Sequence, residues 1–388
     1  MNMPDAPKLS QPLPYGKQWI DDEDLAAVAA VLRGDWLTTG PAVGAFEEAV
    51  ARRCGAKHGV AVANGTAALH TAYHAVGIGP GDEVLVPAIT FAATANAACF
   101  LGARPVFVDV DPDTLLMGPE AAQAAITEHT RAVVTVDFAG QPVESATFRS
   151  LAEDAGIAYI SDACHSLGGS DAGQPVGSLA DLTVFSFHPV KPITTGEGGM
   201  VVGNDASRDA TMRLFRNHGL SSDARERERT GRMLYDMEHI GWNYRLTDVQ
   251  AALGLSQLRH LDDWTARRQD LARLYTSLLQ EVPGVSPLGV RPGASHAYHL
   301  FVIRLDSDAR VQRDELLAGL RRAGVLANVH YQPVHLLSYY RQLGWNAGDC
   351  PMAEAASERI ISLPIFPRMD DEDVRDVVRI LAYLQSAT

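Results

Sequence analysis

HGVAVANGTAALHTAYHAVGIGPGDEVLVPAITFAATANAACFLGARPVFVDV, residues 58–110, alternates short β-rich apolar runs with Ala-rich helical ones. HGVAVAN, DEVLVP and RPVFVDV have the length and continuity of strands buried on both faces. TAALHTAYHAVG and ATANAACFLG, lying between them, read as helices. Strand–helix–strand units of this kind build a largely parallel sheet covered by helices on both sides. The pattern continues with strands in RAVVTVDF (131–138) and IAYISDA (157–163) and helices at 119–127 and 145–155. Strands near 183–187 and 199–203 complete the sheet.

Working outward, residues 21–33 and 43–54 read as helices, and the Pro-rich, polar positions 1–14 as an arm. A long Ala- and Leu-rich helical stretch runs from about 247 to 280. The Pro/Gly-rich linker PGVSPLGVRPGAS (283–295) comes next, and the pattern then changes. YHLFVIRL (298–305) and VLANVHY (325–331) are strands, VQRDELLAGLRRAG (311–324) is a helix, and helices at 351–360 and 370–385 end the chain. The expected organisation is a large α/β domain over 1–284 and a smaller α+β domain over 285–388. Neither internal repeats nor low-complexity segments interrupt it.

Composition narrows the function. The 388 residues are 46% apolar and 21% charged, with a net charge of −14 and no Lys/Arg run, which argues against a nucleic-acid surface. Cys54, Cys99, Cys164 and Cys350 are scattered without a CxxC pair, so neither zinc nor a disulfide framework is expected. The N-terminal residues lack an apolar targeting core and no run approaches 18 apolar residues, so the expectation is a cytoplasmic protein without a membrane span. No GxGxxG follows the first strand, which disfavours a nicotinamide-binding enzyme.

The chemistry gathers where loops leave the strands, the edge at which α/β sheets bind ligands. In LTVFSFHPVKPITTGEGGMVV (182–202), Lys191 and Glu197 are the only charged residues. Pro189 and Pro192 bracket the lysine and forbid regular structure. A lysine held there loses hydration, which depresses its pKa and frees an amine for carbonyl chemistry. The alternative is a lysine that snorkels to solvent. Asn64-Gly65-Thr66 runs from a strand into a helix, a phosphate cup or an ordinary N-cap. Asp162 closes an apolar strand, either to face a protonated heterocycle nitrogen or to serve as an N-cap for the next segment. Phe91, after Thr90, either stacks on a flat ring or packs in the core. Ser186 adds a hydroxyl to the phosphate site or satisfies a neighbouring backbone group.

Together these are the parts of a pyridoxal 5′-phosphate site: a Schiff-base lysine, an acid for the pyridinium, a phosphate cup and a stacking ring. Their order and spacing resemble the sugar-nucleotide aminotransferases of the DegT/StrS type, in the fold-type I (aspartate aminotransferase-like) superfamily. The likeness extends from PYGKQ to ISLPIFPRM. It implies that Lys191 binds the cofactor covalently, that Asp162 pairs with its ring nitrogen, that Gly65, Thr66 and Ser186 hold its phosphate and that Phe91 covers the ring. It further implies that Asn243, in GWNYRLTDVQAALG, reaches the phosphate from the partner subunit of a homodimer. His330 and Tyr331, in ANVHYQPVH, and Thr38, in the Trp36–Gly40 turn, match segments near the sugar-nucleotide pocket. Arg245 joins them as a candidate nucleotide ligand. Read without the family, Asn243 is equally a helix-proximal cap and His330 a core histidine.

Two departures sharpen the resemblance. Asp137-Phe138-Ala139-Gly140-Gln141 stands where the family often has His-x-Tyr-Gly, and His165 stands where it commonly has Gln. Both are similar to the transaminases of pseudaminic acid synthesis, which use L-glutamate to aminate C4 of a UDP-linked 4-keto-6-deoxy-N-acetyl-altrosamine-type sugar. His165 would then sit beside the cofactor's phenolic oxygen. The rival expectations are amination of another 3-keto or 4-keto nucleotide sugar, a pyridoxal-phosphate sugar dehydratase, whose lysine position holds histidine, and a non-catalytic sensor that keeps the fold.

Overall fold

The computed structural model describes residues 7–386 except 223–226, 228–229 and 232–233. Seven strands form the main sheet in the order His58–Val62, Gly199–Gly203, Leu182–Ser186, Ala158–Asp162, Thr130–Val136, Glu83–Pro87, Arg104–Val108. All pair in parallel except Gly199–Gly203, which is antiparallel to both neighbours.

The continuous apolar runs have a direct cause. Successive strand residues point to opposite faces, and here both faces are covered. Val60, Val62, Val184 and Val201 pack into one apolar cluster with Ala68, Leu69 and Tyr73 of the helix Gly65–Ala75. Their neighbours Ala61, Phe185, Met200 and Val202 pack into another with Phe46 and Val50 of the helix Pro41–Arg53. A polar residue inside such a strand has no solvated side to turn to. Polar residues therefore collect at the strand ends.

The C-terminal part builds a second core. Val285–Pro287, Phe301–Leu305 and Ile360–Leu363 form an antiparallel sheet. Its cluster includes Leu316 and Leu320 of the helix Arg313–Arg322 and Val374, Val377 and Leu381 of the helix Asp371–Ser386. The arm joins this core: Leu13–Pro14 pairs in parallel with Val325–Leu326. Residues 1–6 of the expected arm lie outside the described residues.

The stretch expected as one long helix is two. Asp248–Gln257 and Leu261–Leu279 meet at a 3-10 turn over Leu258–His260. No glycine or proline marks this turn. Arg259 and His260 there reach Glu23 of the first helix and Asp21, its N-cap, at 3.0 and 3.1 Å. The expected strand 325–331 is likewise short: Val325–Leu326 pairs with Leu13–Pro14, and beyond it Asn328 makes an isolated antiparallel bridge to Ser362.

Candidate active site

One edge of the main sheet collects the polar residues. Asp162 and Ser186 end their strands, Asn64–Thr66 follow Val62, Thr90 and Phe91 follow Pro87, and Gly199 starts the antiparallel strand at the same edge. All of them except Gly199 border a cavity of about 620 Å³ that Tyr15, His330 and Tyr331 also line. That volume lies in the range of small-molecule sites.

Lys191 lines this cavity. Its loop is tied shut at the base by Phe187 N–H to the Gly198 carbonyl (2.8 Å) and Thr195 N–H to the Phe187 carbonyl (3.0 Å). Burial lowers the lysine's pKa from its ordinary value, and Cys164 and Asp162 pull less strongly the other way. The amine is thus easier to deprotonate than a solvated lysine.

Asp162 is 5% exposed. One carboxylate oxygen accepts from the Thr94 hydroxyl at 2.8 Å, and the Thr94 hydroxyl in turn meets Thr90 Oγ1 at 2.8 Å. The other accepts from the Cys164 N–H at 3.3 Å. Among the described residues no Lys, Arg or His forms an ion pair with it at 4.0 Å or less. A buried carboxylate without a paired cation costs several kcal/mol, so the site suits a ligand that brings a cationic nitrogen to it.

The phosphate cup is closely packed. Asn64 does cap the helix, its side chain accepting from Ala67 N–H at 2.8 Å, yet the first-turn N–H groups of Gly65 and Thr66 remain without intrahelical acceptors. A Cβ on Gly65 would fall 2.9 Å from Ser186 Cβ, and one on Gly199 2.3 Å from the Asn64 carbonyl oxygen. Only glycine lets these three strand ends converge. A donor-rich cup, an unpaired acid and a neutralisable amine in one cavity fit pyridoxal phosphate, with Gly65, Thr66 and Ser186 toward its phosphate and Asp162 toward its ring nitrogen.

The remaining wall is rich in rings. His165, 4% exposed, places Nε2 3.3 Å from the Tyr331 hydroxyl, while its buried Nδ1 has no partner among the described residues. Burial, then the Lys191 charge, holds its pKa well below the usual value, so the imidazole is neutral. His330 bonds Ser362 Oγ through Nδ1 at 2.8 Å, and burial followed by Lys191 lowers its pKa to about 4. Phe91 is no core residue: it is 60% exposed at the cavity mouth, 6.1 Å from the Tyr331 ring.

Three candidates stand apart. Thr38, Asn243 and Arg245 do not line the cavity within one chain. Thr38 bridges Thr247, Asn243 bridges Asn217, and Arg245 donates to Asn217 Oδ1 at 2.7 Å. The Trp36–Gly40 turn is anchored by Asp248, which accepts from Gly40 and Ala42 N–H at 2.7 and 2.8 Å. Conversely, the cavity includes Thr94, Cys164, Tyr15 and His299, which sequence reasoning missed. Thr94 hides among the small residues of an Ala-rich helix, where the only signal was the four-residue spacing from Thr90.

Strand order, the lysine loop and the acid at the neighbouring strand end define a pyridoxal-phosphate enzyme of the aspartate aminotransferase-like fold. The chain belongs to the DegT/DnrJ/EryC1/StrS aminotransferase family, whose model matches residues 18–382. It is 40% identical over 370 residues, 94% of this chain and 95% of the other, to the spore coat polysaccharide biosynthesis protein SpsC of Bacillus subtilis (strain 168). Among solved structures it resembles PseC of Helicobacter pylori, an aminotransferase involved in the biosynthesis of pseudoaminic acid. That match has a TM-score of 0.92 at 32% identity, covering 97% of this chain and 100% of that one. It also resembles the PLP-form of Spr1654, a sugar aminotransferase from Streptococcus pneumoniae, with a TM-score of 0.91 at 29% identity over 97% and 99% of the chains. The protein is a sugar aminotransferase that works with pyridoxal phosphate.

Proposed function

We propose that the enzyme moves an amino group from L-glutamate to the C4 keto group of a UDP-linked 4-keto-6-deoxy-N-acetylhexosamine. It would act in the cytoplasm as a homodimer. The likeness to PseC supports this substrate class, together with the Asp137–Gln141 and His165 departures. The observation that carries the catalytic reading is Lys191, its amine shifted toward the neutral form inside the same cavity as the unpaired Asp162.

When bound, pyridoxal phosphate supplies an electron sink for the carbanion left as a proton departs the substrate carbon. Lys191 Nζ, which burial shifts toward its neutral form, takes that proton and returns it on the opposite side of the transfer. Asp162 keeps a proton on the ring nitrogen, and Thr94 holds the carboxylate oriented through its 2.8 Å hydrogen bond. His165 stays neutral and offers a hydrogen-bonding nitrogen rather than a charge.

Dimerisation is supported by the segment that bears Asn243. Leu234 is 89% exposed, Ile240 78% and Trp242 49%, an apolar concentration unusual on a free surface. A second copy covering it would bring Asn243 to the neighbouring phosphate cup. We also propose the division into units of 1–284 and 285–388.

The test is incubation with ¹⁵N-glutamate and a panel of 3-keto and 4-keto nucleotide sugars, followed by NMR of the products. We expect 2-oxoglutarate and label at C4 of the UDP-linked N-acetyl sugar. Label at C3, or preference for a sugar lacking the N-acetyl group, would reject the substrate assignment, and dehydration without label would reject amino transfer.

A further inference from the structure

A second cavity, of about 470 Å³, lies behind the active site between the helix Leu261–Leu279, the turn Phe138–Gly140 and the segment Pro287–Val302. We propose that it is a binding site for a small aromatic or similarly compact carboxylic acid, whose occupancy is felt in the active site. Neither the amino-transfer reading nor any residue assigned to it is needed for this site to bind.

The polar end is built. His296 is 8% exposed, and its Nδ1 accepts from the Tyr298 N–H at 2.8 Å. That bond leaves the proton on Nε2, which has no partner among the described residues, and His296 lines the cavity. Burial lowers the His296 pKa to about 3, so this donor persists at every working pH. Tyr298 stacks on His296 at 3.9 Å between ring centroids. Burial raises the Tyr298 hydroxyl's pKa while the Arg273 cation opposes it, and both side chains line the cavity. Arg273 also pairs with Asp270 a turn earlier and stays largely exposed at the rim. His296, Tyr298 and Arg273 thus give one cavity three donor-bearing side chains with which a carboxylate can pair. Opposite them Leu288, Leu300 and Val302 provide an apolar wall for the body of the ligand.

The wall shared with the active site is thin. Phe138 borders the second cavity and packs 6.4 Å from the Tyr331 ring, which borders the first. Tyr298 borders one cavity and the adjacent His299 the other. The two strips are laced by Ala297 N–H to the Gly140 carbonyl (2.8 Å) and Leu300 N–H to the Ala139 carbonyl (3.0 Å). A Cβ on Gly140 would meet the His165 carbonyl oxygen at 2.8 Å, so this turn rests directly on the histidine of the site. Ala139 and Tyr298 both hold positive φ, 59° and 47°. Such conformations cluster at ligand clamps and switch regions. A ligand that shifts Tyr298 or Phe138 therefore moves His165 and Tyr331.

The experiment is saturation-transfer NMR on the holoenzyme with benzoate and phenylacetate, using benzyl alcohol as the uncharged control, alongside the visible absorption band of the bound cofactor. Both acids should bind, and binding should shift the band. Arg273→Gln should weaken binding roughly tenfold, the loss of one charge-assisted contact. Ser277→Trp, at an exposed position bordering the cavity, should abolish it while leaving the ligand-free spectrum unchanged. The site is overturned if neither acid shows transfer, if benzyl alcohol binds as well, or if Ser277→Trp binds like wild type, which would place the acid in the active site. An unchanged band on saturation would overturn the coupling.

Discussion

The floor and the rim of the active-site cavity are built differently. The floor hangs on strand ends of one sheet: Asp162 is 5% exposed, Gly65 and Gly199 leave no room for a methyl group, and the lysine loop is stitched to itself. The rim is made by loops from distant parts of the chain, with Phe91 60% exposed and Asn243 outside the cavity altogether. The chemistry therefore rests on residues that one chain fixes through its sheet. Substrate choice and the last phosphate contact would rest on surfaces that one chain leaves open.

If the floor carries the chemistry, the largest effects must come from it. Lys191→Ala should reduce amino transfer by roughly 10⁴-fold or more, since one amine serves as both nucleophile and proton carrier. Borohydride should then fix no cofactor to the chain. A loss of 10²-fold or less would move the chemistry elsewhere. Asp162→Asn should cost roughly 10³-fold, comparable with removal of a buried electrostatic partner of the reacting centre, and should weaken cofactor retention. Equal activity and cofactor content in wild type and variant would show that the ring nitrogen needs no acid.

Legibility in the sequence obeys the same division. Lys191, Asp162 and Ser186 stand out because each interrupts or ends an apolar run, and a polar group in such a place needs a reason. The parallel sheet is legible from the same runs. His299 does not stand out, because YHLFVIRL reads as a plain strand even though its first residues are a loop facing two cavities. VLANVHY has strand composition throughout, but composition does not reveal that the ladder stops after Val325 and Leu326, leaving Asn328 as an isolated bridge to Ser362. The break at Leu258–His260 lies where Arg259 and His260 meet Glu23 and Asp21, more than 200 residues earlier in the chain, and no local pattern shows those contacts. Motif resemblance brought Asn243 and Thr38 into view, and no local pattern would have done so; Arg245 entered as a local cation for UDP on an otherwise acidic chain.

The rim can be tested for its dependence on a second chain. Lys191→Ala and Asn243→Ala proteins, each much weakened, should regain activity when unfolded together and refolded as a mixture. In a mixed dimer one site pairs an intact Lys191 with an intact Asn243 from the other subunit. Random assembly of equal amounts then restores about a quarter of the wild-type sites. If Asn243 served the site of its own chain, mixing would restore nothing.

The smallest expected effect is a stability change that tests the floor without any substrate. In the cofactor-free protein Lys191 has a lowered pKa because burial disfavours its charged form, with Cys164 and Asp162 opposing only in part. Between that lowered value and about 10.4, the ordinary lysine value, the unfolded chain binds more protons than the folded one. Stability then rises with pH across this window. Below it the lysine's charge is a constant burden on the fold. Lys191→Met removes the burden and keeps the length of the side chain. The variant should therefore be more stable than wild type at neutral pH, by a margin that shrinks as the pH climbs toward 10.4. The check is a series of denaturant midpoints for both cofactor-free proteins from pH 7 to 10. A margin that stays flat or widens with pH would mean that the lysine reaches solvent, and the floor would be no drier than the rim.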